Sequence, residues 1–338
     1  MSDPTLPSRP SPWLEHRWPA LWRRQPEDFS VTECMPPVAG GDGEHWWIWV
    51  EKRGQNTDWV ARQLAQAFGV REVAVGYAGL KDRHAVTGQW MSIQLPGHKT
   101  EPVLPELDGV KWGTCLRSLK KCRRGDHLGN RFSIRLYWPE GDGGPDGAEV
   151  GRILTDISTH GFPNYYGHQR FGIEGRNLEK GRAWMAGRWR PGGRHVKSMV
   201  LSALRSEVFN ALLAERVRHG SWNAILEGER QTTAAAPGNM TSLACAEGPL
   251  WGGLPVQEGE AGRFEQAVND RYDDVLAFLH RQGLRPDWRP FVAMPENLVW
   301  HWLDRGMQLD FTLGRGVYAS VLLEMMFELI QPDRREVA

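Results

Sequence analysis

At 338 residues, with 41 Lys and Arg set against 41 Asp and Glu, the chain carries no formal net charge, which excludes a protein that coats nucleic acid through bulk charge. Its length exceeds the roughly 250 residues that a single core usually fills, so two domains, or one core carrying an insertion, are expected. The composition, 41% hydrophobic and 24% charged, is that of a globular protein, and no run approaches the roughly 18 unbroken apolar residues of a membrane span.

The start, "MSDPTLPSRPSP", lacks the apolar stretch of a secretory signal, so a cytoplasmic protein with residues 1–12 as a disordered tail is expected. Cys34, Cys115, Cys122 and Cys245 show no CxxC spacing and read as reduced thiols, indicating neither disulfides nor zinc. Residues 46–50, "WWIWV", form a β-favouring run. The next stretch, "NTDWVARQLAQAFG", reads as a helix capped by Asn56 or Thr57, with Val60, Leu64, Ala67 and Phe68 on one face and Gly69 past its end. Strands over residues 73–77 and 90–95 place "GYAGLKDRHAVTGQW", residues 76–90, on a connection between two sheet elements. Chemistry tends to sit on such loops.

Phe132, Ile134, Leu136 and Trp138 alternate with Arg131, Ser133, Arg135 and Tyr137, which predicts a half-buried strand with cations on its open face. Val150, Ile153, Leu154 and Ile157 predict a helix ending at Gly161, and residues 161–172 are too rich in Gly, Pro and Asn for a regular element. A long amphipathic helix follows over 199–218, with Leu201, Leu204, Val208 and Leu212 as its stripe, and then a Gly-, Ala- and Pro-rich stretch over 229–262. One helix is expected over 263–283 and a strand over 307–313. A final helix should place Tyr318, Val321, Leu322, Met325 and Leu329 on one face.

Phosphate loops, HExxH, GxSxG and a GxGxxG after a strand are all missing from the sequence, and the eleven histidines lack ligand spacing. Two basic clusters stand out on the neutral chain. Arg117, Lys120, Lys121, Arg123, Arg124, Arg131 and Arg135 face only Asp126, and residues 180–197 hold six cations, Arg188 and Arg190 among them, without an acid. A charged run is by default a solvated face, yet two such clusters read as footprints for a polyanion. Asp82 sits between Lys81 and Arg83. That neighbourhood is expected to keep it ionised and fit to act as nucleophile or base. The plainer reading is a turn cap or a surface ion pair worth under about 1 kcal/mol.

"GYAGLKDRHAVTGQW" closely resembles the signature of the TruD family of tRNA pseudouridine synthases. "PEDFSVTE" (26–33), "GFPNYYGHQRFG" (161–172), "SALRSEVFNALLAER" (202–216) and "LDFTLGRGVYASVLLE" (309–324) resemble that family's other blocks in the same order. The resemblance implies conversion of uridine to pseudouridine in tRNA, at position 13 by family habit, with Asp82 as the catalytic aspartate. It further implies Phe29, Asn164, Tyr166, Tyr318, Arg23 and Lys81 as substrate-binding residues. Lys120, Lys121, Arg123, Arg124, Arg188 and Arg190 would meet the RNA backbone. An isomerisation has no redox change and takes no group from outside, so no cofactor and no metal are expected. Rival readings are a noncatalytic RNA-binding or RNA-folding protein and a glycosidic-bond hydrolase, the latter usually wanting a second carboxylate.

The expected fold is α+β: a mainly antiparallel mixed sheet with flanking helices, implied by the resemblance to be the pseudouridine synthase core with its segments in permuted order, and carrying a smaller inserted α/β domain. Residues 13–189 and 297–338 should form the catalytic domain and 190–296 the insertion. The expected partner is tRNA, with no membrane, no protein partner and a monomeric chain.

Overall fold

A computed structural model describes residues 8–36, 40–141, 143–235, 242–251, 258–285 and 287–332. The chain runs through β1 (Trp18–Trp22), a 3-10 turn at Pro26–Asp28, β2 (Phe29–Cys34) and β3 (His45–Arg53) into α1 (Thr57–Ala67). β4 (Val75–Tyr77), β5 (Val86–Gln94), β6 (Val110–Ser118) and β7 (Gly129–Tyr137) follow. Next come α2 (Gly147–His160), β8 (Phe162–Pro163), α3 (Arg176–Met185), α4 (Arg194–Arg218), β9 (Gln231–Ala235) and β10 (Ser242–Leu250). The later part holds α5 (Gly259–Arg271), α6 (Asp273–Arg281), β11 (Asp287–Pro290), β12 (Val292–Ala293), β13 (Glu296–Leu303), β14 (Gly306–Gly314), α7 (Ala319–Glu324) and β15 (Phe327–Ile330).

These elements fall into two compact units. Among the described residues, the first takes those within 18–146, 295–316 and 328–332, and the second takes those within 8–17, 147–294 and 317–327. Residues 147–189 group with 190–294 in the second unit. Two local pairings account for that grouping: β8 is hydrogen bonded to β12, with Phe162 opposite Ala293, and α3 packs on α4. At that helix contact a Cβ on Gly181 would stand 2.8 Å from Leu204 Cδ2, so a larger residue would require Leu204 to shift.

The first unit is built on a mixed sheet in the order β13-β14-β7-β2-β5-β3-β6, with β1 pairing β7 and β15, and β4 pairing β5. β2 and β5 run parallel, Ser30 opposite Val86, while β2–β7, β3–β5, β3–β6, β7–β14 and β13–β14 are antiparallel. Alternation decides which face is covered. Trp46, Ile48 and Val50 of β3 join Met91 and Ile93 of β5 in burying the Val60 and Leu64 face of α1. The β7 strand follows its predicted pattern, Phe132, Ile134 and Leu136 buried and Arg131 and Arg135 exposed.

The second unit holds a three-stranded sheet, β11-β10-β9, the short β8–β12 pair and helices α2 to α7. Leu329 lies in β15 rather than on a last helix, because α7 stops at Glu324 and the chain extends again from Phe327. The helix expected over 263–283 is two, broken at Tyr272, whose backbone (φ −117°, ψ 22°) leaves the helical region. The stretch 229–262 carries β9 and β10, while its residues 236–241 and 252–257 lie outside the described residues. Glu72–Ala74 is a 3-10 turn, so the strand expected from 73 begins at Val75. Of the expected tail, residues 1–7 lie outside the described residues, whereas Arg9 is buried against Glu324 at 2.7 Å. Among the described residues no helix is long and apolar enough to cross a membrane.

Candidate active site

The loop between β4 and β5 is held at four backbone atoms by three buried side chains. Gln89 Nε2 donates to the Gly79 carbonyl at 3.1 Å, and the Lys81 amide donates to Thr57 Oγ1 at 3.0 Å. Thr57 in turn donates its hydroxyl to Gln89 Oε1 at 2.9 Å, so of the two candidate caps Asn56 takes the N-cap position of α1, without a side-chain cap bond, and Thr57 serves the loop. Lys52 Nζ donates to the carbonyls of Asp82 at 3.0 Å, Lys81 at 3.4 Å and Gln55 at 2.8 Å. Burial pulls the Lys52 pKa down to about 8, with the Asp82 charge opposing the drop and the Lys81 charge adding to it.

On this support Asp82 presents a side chain 47% exposed. Its cation is not a sequence neighbour. Arg23 Nη2 donates to Asp82 Oδ2 at 2.7 Å, whereas Lys81 Nζ turns to Glu33 Oε1 at 2.8 Å and Arg83 Nε donates to the Gly54 carbonyl at 3.1 Å. The expected sandwich of Asp82 between Lys81 and Arg83 is therefore corrected: adjacent side chains on this loop diverge, and of these three cations Arg23 is the one that pairs with the carboxylate. Lys81, expected at the substrate, is 6% exposed in an ion pair with a fully buried Glu33. Its amine is committed to holding the loop on β2.

Arg23 has a left-handed backbone, φ 54°, uncommon for a residue with a Cβ. Its guanidinium carbon lies 3.9 Å from the Phe29 ring centroid and 4.3 Å from that of Trp22, two rings that meet edge to face at 5.7 Å. Stacking leaves the plane's edge free for the carboxylate, a geometry that suits Arg better than Lys. Phe29 is 4% exposed, so in this structure it acts as the Arg23 platform. The preceding turn is fixed by buried Asp28, which accepts from Tyr137 Oη at 2.9 Å and from the Gln25 amide at 3.1 Å.

Asn164, Tyr166 and Tyr318 belong to the second unit and form a cluster there. Asn164 Nδ2 donates to the Pro290 carbonyl at 2.9 Å, and Arg289 donates from Nη2 to Asn164 Oδ1 at 2.5 Å and from Nε to the Asn164 carbonyl at 3.0 Å. Those bonds set the orientation of the amide. The Arg289 guanidinium also lies 4.1 Å over the Tyr166 ring, and burial lowers its pKa. Asn210 brackets the Tyr166 backbone, accepting from its N–H at 2.8 Å and donating to its carbonyl at 2.9 Å. Tyr166 and Tyr318 meet at 6.2 Å and 66°. A Cβ on Gly167 would stand 3.0 Å from Tyr318 Cδ1, so glycine there leaves room for this ring. Burial raises the Tyr318 pKa, against the charge of nearby Arg170.

Of the expected backbone cations, Lys120, Arg123, Arg124, Arg188 and Arg190 are exposed, the last two in the segment after α3. Lys121 is half-buried and donates to the Val73 carbonyl. With Arg123, Arg124, Arg62 and Tyr77 it lines an open depression of about 860 Å³ that also contains Asp58 and Glu72. Among the described residues no group of three or more His, Cys, Asp or Glu side chains is placed to hold a metal ion. Sequence reasoning missed Lys52, Gln89, Arg289 and Asn210. Lys52 had left a signal, a cation continuing the apolar alternation of Trp46, Ile48 and Val50.

The family described as tRNA pseudouridine synthase D (TruD) matches residues 20–191. The chain is similar to the tRNA pseudouridine synthase D of Hydrogenovibrio crunogenus, 38% identical over 93% of this chain and 94% of that one. Its counterpart from Pseudomonas aeruginosa is 36% identical over 94% and 93%. In fold it is similar to a solved Methanosarcina mazei chain provisionally assigned as a tRNA pseudouridine synthase D, with a TM-score of 0.75 at 18% identity over 96% of this chain and 98% of that one. With two relatives above a third identical along nearly their whole length, this chain belongs to the tRNA pseudouridine synthase D (TruD) family.

Proposed function

We propose that this protein isomerises uridine to pseudouridine in tRNA, at position 13, with Asp82 as the reacting carboxylate. The reaction breaks the C1′–N1 bond of the nucleotide, turns the detached uracil and joins its C5 to C1′. The C5 proton leaves and N1 gains one, so the product is an isomer and no oxidant, reductant or donor group enters the balance. Asp82 acts as nucleophile at C1′, as nucleophile at the base, or as the base that removes a sugar proton. Each route needs an ionised carboxylate within reach of the nucleotide.

The observation that carries this reading is an exposed carboxylate oriented by Arg23 at 2.7 Å on a loop with four anchored backbone atoms. A positioned group of this kind is what general acid–base and nucleophilic catalysis require. A uridine inside folded tRNA must also leave its stack, at a cost of a few kcal/mol. Contacts to the extruded base must offset that cost: Tyr166, Tyr318 and Asn164 are read in that role from their match to the family's blocks, and Phe29, matched in the same way, lies under Arg23 here and would meet the base once that guanidinium shifts. Lys120, Lys121, Arg123, Arg124, Arg188 and Arg190 are read as phosphate contacts.

The test is incubation of the protein with a tRNA transcript carrying tritium at uridine C5, without added cofactor, followed by mapping of the modified position. Tritium release with pseudouridine at position 13 is the expected result. Bound but unchanged tRNA would favour a noncatalytic binder, and free uracil would mean a hydrolase.

A further inference from the structure

The geometry points to Lys52 as the positioning residue that fixes the direction in which the Asp82 loop presents its carboxylate, an inference that rests on Asp82 being the reacting group. On β3, Trp46, Ile48, Val50 and Lys52 share one face, and the first three lie in the apolar core. Lys52 continues that stripe at 1% exposure. An ammonium in such a place is costly unless its three N–H donors find acceptors. Its acceptors are the carbonyls of Gln55, Lys81 and Asp82.

Two of these acceptors are consecutive. The Lys81 carbonyl belongs to the peptide plane before the Asp82 Cα, and the Asp82 carbonyl to the plane after it. Each plane is rigid, so holding both fixes the φ and ψ of Asp82 and with them the direction of its Cα–Cβ bond. An apolar side chain of the same length would fill the core position at lower desolvation cost. What it would not do is tie those two carbonyls to β3. Arg23 then has one carboxylate position to meet, rather than a set of loop conformers.

The tie depends on the proton count of the amine. Charged groups acting on Lys52 are Asp82, which favours the ammonium, and Lys81, which opposes it. Its neighbours in register on the adjacent strands, Thr87 on β5 and Val110 on β6, bring no charge. On its own strand the flanking Glu51 and Arg53 are exposed, on the opposite side of the alternation. A neutral amine keeps two donors for three carbonyls, so with the amine still buried in the core the loop loosens as pH rises through about 8, unlike global unfolding, which hydrates the amine.

The experiment compares wild type and Lys52→Met in single-turnover pseudouridine formation at saturating protein, in tRNA affinity, and in amide hydrogen exchange of residues 79–84. Lys52→Met is expected to slow the reaction on the order of 10²-fold, the cost of a small misplacement of a reacting group, with tRNA affinity unchanged and exchange at residues 79–84 faster. The wild-type rate should fall above about pH 8, and that fall should be absent from the residual rate of Lys52→Met. A wild-type rate in Lys52→Met, or unchanged exchange at residues 79–84, overturns the proposal. Should the wild type itself form no pseudouridine, the proposed function fails separately, and the exchange comparison still decides the role of Lys52. If Lys52→Met does not fold, wild-type exchange at residues 79–84 between about pH 7 and pH 9.5, corrected for intrinsic rates, decides: more opening at the higher pH supports the tie, and constant or greater protection there overturns it.

Discussion

Lys81 Nζ lies 2.8 Å from Glu33 Oε1, with the two side chains 6% and 0% exposed. Glu33 Oε2 also accepts from the Trp90 amide at 3.2 Å, so this carboxylate joins the Asp82 loop to both β2 and β5. Removing one member of a buried pair leaves the other charge uncompensated. Glu33→Gln is expected to destabilise the fold by about 3 kcal/mol or more in urea denaturation, whereas Glu33→Leu combined with Lys81→Met should lose clearly less than the sum of the single changes. Additive losses would mean the two side chains do not depend on each other.

Arg23 is a different kind of pair. Its partner Asp82 is 47% exposed, so Arg23→Lys should shift stability by under about 1 kcal/mol. Catalysis should suffer more, on the order of 10-fold to 10²-fold in kcat, because an ammonium lacks the planar edge that Phe29 and Trp22 orient. Steady-state rates beside a urea titration check both halves, and a variant with normal turnover would remove Arg23 from the reacting geometry.

Stability should carry the signature of Lys52 with a definite sign. Its folded pKa of about 8 lies below the ordinary 10.5, so between these values the unfolded chain binds a proton that the folded chain lacks. Stability therefore rises with pH across that window and is insensitive to this group below it. Cys122 works the other way, its thiol pushed up to about 12 by burial, so its contribution is lost as pH climbs above about 9. Subtracting the unfolding free energy of Lys52→Met from that of wild type cancels the thiol. The difference should shift in favour of wild type from pH 8 to pH 10. A flat difference would mean that Lys52 titrates normally.

Among the exposed cations, Arg123 and Arg124 are expected to meet phosphates. Replacing both with Gln should weaken tRNA binding and reduce the slope of log K against log salt by up to about 0.9 per residue. Filter binding across a salt series measures this. An unchanged slope would make the pair a solvated surface only.

Much of this molecule was legible in its sequence wherever one physical signal dominated. Period-2 alternation located β7, and the apolar stripe located α1, α2 and α4, because burial of one face controls both patterns. The Asp82 loop was legible as a block between two strands. What proved illegible was direction. Lys81, Asp82 and Arg83 are adjacent in the chain, yet their side chains reach Glu33, Arg23 and the Gly54 carbonyl, partners supplied by three other segments. Strands β6 and β13 were missed because they are edges, whose exposed residues blur the alternation. The last helix was drawn too long because the Leu329 position fits a helical stripe equally well when the chain has already turned into β15. Arg289 left no pattern at all: its role is set by Asn164 and Tyr166, far away in sequence.

If the Asp82 carboxylate does the chemistry, its loss abolishes turnover but not binding, which is read by comparing tritium release from C5-labelled uridine in tRNA by wild type and Asp82→Ala, with tRNA affinity recorded for both. Asp82→Ala should bind tRNA nearly as tightly as wild type, since one side chain is a small part of an extended contact surface, and should release no tritium above background. Appreciable release by Asp82→Ala would mean that the reacting group lies elsewhere.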